Sequence, residues 1–335
     1  MKALVTGAGG FVGYHLAAAL VARGDSVRAF ALPLENMSSI EQLGAEVQRG
    51  DVRNYEDLAA AMQDIDVVFH LAAIHGLWRP RQEYFAVNIG GTENACKAAL
   101  AAGVRRFVYT SSWTVYGMDL GKPVDESFPL NPIQDVYTET KAEAEKVIRT
   151  YSTRDHLPAV IVRAGTMFGP GDRVNFARMA DRLREGKAII IGSGRNAVPF
   201  VYVTDVVDGM ILAATNERAI GQAYNLSTDQ PVTQEQLWKA IAVETGAKPP
   251  RLRVPYYPLL LLAFLAEKAV KADDPQRQPL VTRLGVKLFG SDNRQVIDKA
   301  RRELGYSPKV AVLDGVRLTA KWYNQLSATP QRTSG

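Results

Sequence analysis

Three side chains are placed to form a proton-transfer unit. Ser112 closes an apolar run, and Tyr137 and Lys141 stand four apart in Tyr137-Thr138-Glu139-Thr140-Lys141. On a helix that spacing puts both on one face. A phenol with its ordinary pKa of about 10 is a poor base at neutral pH. An ammonium beside it favours the phenolate, and Ser112 can hydrogen-bond a substrate hydroxyl or carbonyl. The set suits interconversion of an alcohol and a ketone. Tyr-x-x-x-Lys is common by chance, so its weight comes from its company. That company is Thr6-Gly7-Ala8-Gly9-Gly10-Phe11-Val12-Gly13, where glycines 7, 10 and 13 follow a short apolar run and open a helix. Such glycines allow a tight turn, close approach of a pyrophosphate and helix-to-strand packing. The helix N-terminus then presents its free N–H groups to the phosphates. Gly7, Gly10, Phe11, Val12 and Gly13 are therefore the dinucleotide-binding candidates.

These residues need a scaffold, and the first half of the chain supplies a regular one. Strands are predicted at Ala3–Val5, Val27–Leu32, Glu46–Arg49, Val67–Leu71, Phe107–Ser111 and Ala159–Arg163. Helices are predicted from the Gly-rich turn to Arg23, and at Tyr55–Met62, Glu83–Ala102 and Val136–Tyr151. Continuous apolar strands alternating with helices imply a doubly wound parallel sheet of the Rossmann type, an α/β fold with ligands at the carboxyl ends of its strands. After Arg163 the rhythm changes. Residues 1–164 are read as the dinucleotide-binding domain, with 199–217 returning to it. Residues 165–198 and 218–327 are read as a smaller mixed substrate-binding cap, and 328–335 as a polar tail.

Composition narrows the classes. The chain has 335 residues, 47% apolar and 22% charged, a globular balance that excludes a disordered or fibrous protein. The lone Cys96 excludes a disulfide scaffold, and the four histidines show no metal-ligand spacing, so no metal is expected. A net charge of +5 is a mild excess that a solvated surface explains, so no nucleic-acid partner is expected. The longest apolar run, Val254 to Ala266, has thirteen residues against the roughly 20 needed to span a bilayer. No signal segment precedes the first strand. A cytoplasmic enzyme acting on a small molecule is the expectation.

With these motifs in hand, the sequence resembles the extended short-chain dehydrogenase/reductases, the NAD-dependent epimerase/dehydratase superfamily. The resemblance spans nearly the whole chain. It includes Gly50-Asp51-Val52, His70-Leu71-Ala72-Ala73, Asn88, Tyr109-Thr110-Ser111-Ser112, Gly169-Pro170-Gly171-Asp172, Tyr224-Asn225-Leu226 and Glu303-Leu304-Gly305-Tyr306. It implies that Asp51 accepts from the adenine amino group, that Val52 lines the adenine, and that Leu71, Ala72 and Ala73 pass close to the cofactor. It also implies that Lys141 binds the nicotinamide ribose beside Tyr137, that Asn88 joins Ser112, Tyr137 and Lys141 in the catalytic set, and that two copies pair through the helices near 83–102 and 136–151. His70 is read as a strand residue whose ring packs.

Two departures from the family pattern matter. At the end of the second strand, an acid would bind a ribose 2′-hydroxyl and an arginine a 2′-phosphate. Here Phe30-Ala31-Leu32-Pro33 offers neither, and Glu35 is the nearest acid. NAD is expected, with NADP the alternative. After Ser112 stand Trp113 and Thr114, which cannot supply the acid and base that 4,6-dehydration of a sugar nucleotide requires. Residues 173–195 carry six Lys and Arg against two acids, a net +4 able to bind an anion. Tyr256–Leu265 supplies an apolar stretch, able to line a channel or to pack as core. His75, Trp113, Arg178 and Arg182 are the substrate candidates. Pro279-Leu280-Val281-Thr282-Arg283 resembles a stretch of 3β-hydroxysteroid-dehydrogenase-like members. It tilts the expectation to an oxidoreductase of a hydrophobic substrate, with a nucleotide-sugar 4-epimerase as the alternative and a non-catalytic dinucleotide-binding scaffold as a second one.

Overall fold

In the computed structural model, residues 1–76, 78–270, 279 and 281–328 are described. Seven strands form one parallel sheet: β1 (Lys2–Thr6), β2 (Ser26–Ala31), β3 (Glu46–Arg49), β4 (Val67–His70), β5 (Arg106–Ser112), β6 (Ala159–Ala164) and β7 (Ala223–Leu226). Their order is β7-β6-β5-β4-β1-β2-β3. The chain builds outward from β1 to β3, then crosses back to lay β4 on the other side of β1. That reversal opens a crevice at the carboxyl ends of β1 and β4, where such sheets bind ligands. Strands β4, β5 and β6 are buried along their whole length, because helices cover both faces. Helices Phe11–Ala22 and Val203–Thr215 pack on one face through Leu16, Leu20, Val206 and Met210. Helices Tyr55–Ala61, Gly91–Ala102 and Val136–Arg154 pack on the other through Leu58, Cys96, Ala144 and Ile148.

Two elements differ from the sequence expectation. The first is β7, which lies in the stretch assigned to the cap but pairs with β6 from Ala223↔Ile161 to Leu226↔Ala164. Its strand signal is masked by Asn225, a polar residue at a buried position. The fold satisfies it with Tyr116 Oη donating at 2.7 Å and with the carbonyls of Val124 and Val296. The second is the predicted helix 83–102. It comprises Arg81–Tyr84, a π-helical segment Phe85–Gly90 and Gly91–Ala102, with Asn88 inside the wide turn. Such π segments concentrate at functional sites.

The cap has its own core around Phe176, Leu183, Phe200, Trp238 and Val316. Phe200–Tyr202, expected to rejoin the main layer, pairs instead with Thr166–Phe168 in a two-stranded sheet. Ile190–Ile191 pairs with Arg253–Val254, which leads into the helix Tyr256–Ala269. That helix buries Leu259 and Ala263 against Ile191 and Val286 and leaves Leu261, Leu262 and Leu265 exposed. Leu261 is thus neither core nor channel lining. The last helix runs to Ala328; residues 329–335, read as the tail, and Leu280 lie outside the described residues.

Candidate active site

The crevice is built by close contacts between the loops that follow β1 and β4. Gly7 has φ +69°, and a β-carbon there would lie 3.0 Å from the Ala72 nitrogen. Gly13 has no room at all: a β-carbon would strike the Gly7 carbonyl and stand 2.7 Å from Ala8 Cα. Thr6 Oγ1 accepts from the Leu71 and Ala72 amides, each at 3.2 Å, and donates to His70 Nδ1 at 2.9 Å. His70 Nε2 donates in turn to Thr92 Oγ1, whose own hydrogen goes to the Asn88 carbonyl. Burial holds the His70 pKa down at about 3, so the ring is neutral and structural. Gly10 caps the helix Phe11–Ala22 without a side-chain bond, which leaves the first amides free for an anion.

The acid not visible at the end of β2 is supplied by a turn. Glu35 N donates to the Leu32 carbonyl at 3.1 Å across Pro33, and the Glu35 carboxylate accepts from the Leu32 amide at 3.2 Å. Arg49 Nη1 binds the Leu32 and Glu35 carbonyls at 3.1 and 2.5 Å. The chain doubles back, and the carboxylate rests against Gly9, where a side chain would collide with it and with the Met37 sulfur. Asp51, beyond β3, is held ionised by hydrogen bonds from the Arg53 side chain at 2.5 to 3.0 Å. Val52 is buried and packs on Gly91. A glycine cradle, uncapped helix amides and a carboxylate beside Gly9 fit an adenine dinucleotide with free ribose hydroxyls, and repel a 2′-phosphate. Glu35→Gln is expected to weaken NADH about tenfold and leave NADPH no weaker, read by fluorescence titration. An unchanged NADH-to-NADPH ratio would show that the carboxylate plays no part.

Next to this crevice, Ser112, Tyr137 and Lys141 come together. Asp135 caps the helix Val136–Arg154, accepting from the Tyr137 and Thr138 amides at 3.1 Å, so the tyrosine sits in a fixed first turn. The Ser112 side chain lies close enough to the Tyr137 phenol to favour its ionised form, and it accepts from Thr114 Oγ1 at 3.0 Å. Lys141 Nζ donates to the Thr110 carbonyl at 2.7 Å. Burial governs both titrations. It raises the Tyr137 pKa well above its ordinary value, against the pull of Ser112, and lowers Lys141 to about 7, against the pull of Glu145. The expected depression of the Tyr137 pKa by Lys141 is not found: burial dominates, and Ser112 supplies the opposing pull. His75 is exposed as a whole but packs its ring edge-on to Tyr137, centroids 4.7 Å apart; loss of water around the ring, with the Lys141 and Arg178 charges, lowers its pKa to about 4.

Asn88 touches the site through other residues. Its Oδ1 accepts from the Ile74 amide at 2.8 Å, and its Nδ2 donates to the Ile74 carbonyl and to Thr140 Oγ1 at 3.2 and 3.0 Å. It fixes the loop after β4 against the Tyr137 helix, as a positioning residue. Behind Lys141 lies a charge pair that sequence reasoning missed. Fully buried Glu145 receives Arg163 Nε and Nη2 at 2.9 and 2.7 Å and Ser111 Oγ at 2.6 Å. Its signal was there: an acid four residues after Lys141 and an arginine inside an apolar strand.

A cavity of about 380 Å³ opens at Tyr137 and His75. Arg178 and Arg182 line one side, and Met179, Ile191, Leu259, Val286, Leu288 and Phe289 form much of the rest. Trp113 does not line it; it is buried, its indole N–H donating to Thr166 Oγ1 at 3.1 Å. Next to the cavity, Arg283 binds Glu267 at 2.5 Å and the Gln134 carbonyl at 3.0 Å. Thr282, Leu284 and Gly285, beside that arginine, line the cavity as well.

A doubly wound sheet with a glycine cradle and a Ser-Tyr-Lys cluster beside it defines an extended dinucleotide-dependent enzyme. The chain belongs to the NAD dependent epimerase/dehydratase family, whose pattern matches residues 3–227. It is 33% identical to a 3-beta-hydroxysteroid dehydrogenase of Mycolicibacterium neoaurum over 98% of this chain and 93% of that protein. It is 32% identical to the 2-alkyl-3-oxoalkanoate reductase of Shewanella oneidensis over 94% of this chain and 84% of the other. It also resembles the crystal structure of the UDP-glucuronic acid 4-epimerase of Bacillus cereus in complex with NAD. That match has a TM-score of 0.79 and 27% identity and covers 97% and 99% of the two chains.

Proposed function

We propose that this protein is an NAD-dependent oxidoreductase that interconverts a secondary alcohol and a ketone on a hydrophobic, steroid-like or keto/hydroxy-acyl substrate. The observation that carries this reading is the cavity at Tyr137, with aliphatic and aromatic side chains forming much of its wall. The hydroxysteroid and oxoalkanoate relatives support it. NAD, when bound, supplies the hydride acceptor or donor. In reduction Tyr137 gives its phenol proton to the carbonyl oxygen, and in oxidation its phenolate takes the hydroxyl proton. Ser112 orients the substrate oxygen. Lys141 binds the nicotinamide ribose and sets the charge beside the phenol. His75 shields the phenol from water and faces the substrate with Arg178 and Arg182; Trp113 braces this end of the cap from behind. The setting is cytoplasmic, and two copies pair through the helices Gly91–Ala102 and Val136–Arg154.

Arg178 and Arg182 favour a second reading, a nucleotide-sugar 4-epimerase, because two cations in one wall suit a diphosphate. One preparation separates the two. Net NADH formation from apolar secondary alcohols, with no epimer from UDP-hexoses, is the expected result. Interconversion of UDP-hexoses with no change in NADH absorbance would overturn it, because an epimerase regenerates its cofactor every cycle.

A further inference from the structure

The apolar run at 254–266 is only half used by the fold. On the helix Tyr256–Ala269 one face carries Leu259 into the cavity wall and Ala263 into the cap. The opposite face presents Tyr257, Leu261, Leu262 and Leu265, exposed by 76, 60, 55 and 53%. These positions are spaced i, i+4, i+5, i+8 and form one stripe along the helix. Lys268, also exposed, ends it. Soluble surfaces carry isolated apolar residues, but a contiguous patch of this kind marks an interaction site. No described helix is long and apolar enough to cross a membrane. A helix with one apolar outer face and basic flanks lies in the interface plane instead.

We propose that this face docks the protein on an anionic lipid surface, on the helix whose other side carries Leu259 into the cavity wall. Charge decides among the occupants. Residues 245–290 hold eight Lys and Arg against three Asp and Glu, a net +5 that equals the net charge of the whole chain. Two of the cations, Arg253 and Arg283, are paired within the fold, with Glu235 and Glu267. Lys248, Arg251 and Lys268 are exposed and are not part of these ion pairs. A second copy seated on this face would bring two such segments together and be repelled. Acidic headgroups attract them, at about 1 kcal/mol for each cation near the surface. The proposal extends the apolar-substrate reading by naming where the substrate comes from: a compound dissolved in the bilayer reaches a cavity whose wall is the inner side of the docking helix.

The full chain is tested by flotation with phosphatidylcholine vesicles, with and without phosphatidylglycerol. The protein is expected to float with the anionic vesicles, less so at high salt, and the triple variant Leu261→Ser, Leu262→Ser, Leu265→Ser is expected to bind at least tenfold more weakly. Turnover of a water-soluble ketone should be the same in both proteins, because none of the three residues lines the cavity. Failure to float, or equal flotation of the variant, overturns the proposal. A dimer that the triple substitution dissociates would also overturn it, in favour of a second copy as the occupant. Flotation of a protein that epimerises UDP-hexoses would sink the substrate reading and leave the docking surface standing.

Discussion

Tyr137→Phe is expected to lower kcat for both oxidation and reduction by about 10²–10⁴-fold while NADH affinity stays within a few-fold. The variant keeps the ring, so the edge-on contact with His75 survives, and it keeps the first helical turn, which Asp135 holds through backbone amides. Only the phenol oxygen and its interaction with Ser112 are lost. Because the substitution leaves a half-buried apolar ring where a half-buried ring stood, the fold should be about as stable. Stopped-flow turnover beside NADH titration separates the two effects. Near-normal kcat in the variant would move the proton-transfer role away from Tyr137 altogether. Loss of NADH binding in step with kcat would instead show that the phenol anchors the cofactor.

Much of this was legible from residue types and spacing, because the elements near the crevice carry strong local signals. The strands at Val67–Leu71, Phe107–Ser111 and Ala159–Arg163 read as largely apolar runs because they lie between two helical layers, whereas Glu46–Arg49 is a polar edge strand. The glycines at 7 and 13 are required by backbone contacts that leave no room for a side chain, so their spacing is a direct print of the geometry. What escaped depends on contacts remote in sequence. The strand Ala223–Leu226 hides behind Asn225, whose partners lie 71 to 109 residues away. Glu35 is the nearest acid in the sequence, but only the turn that carries it back to the end of β2 puts it at the ribose position. The apolar helix at 256–269 shows the limit of hydropathy: the composition is the same whether a face meets core, cavity or solvent. Only the packing of Leu259 and Ala263 tells which side is which.

The pair of Glu145 and Arg163, signalled by residue type but joined only by packing, carries the second large effect. Glu145→Gln is expected to destabilise the protein by about 3–5 kcal/mol, since it leaves the buried Arg163 charge uncompensated. It also acts on the site. Glu145 raises the Lys141 pKa against a desolvation that already holds it at about 7, so removing the carboxylate moves that pKa further down. A base with a lowered pKa keeps its proton only at lower pH. The limb of kcat that reports the Lys141 ammonium therefore shifts toward acid, and activity lost at neutral pH returns in part on acidification. Ketone reduction is the direction to measure, because Tyr137, its pKa raised by burial, stays protonated throughout. His70 and His75, which also face Lys141, titrate lower, at about 3 and 4. Destabilisation and titration are then separated by adding Arg163→Met. Removing both charges should recover much of the stability in a urea melt and leave the pH limb displaced. Return of the limb together with the stability would mean that Glu145 only holds the helix in place, and that the charge on Lys141 is set elsewhere.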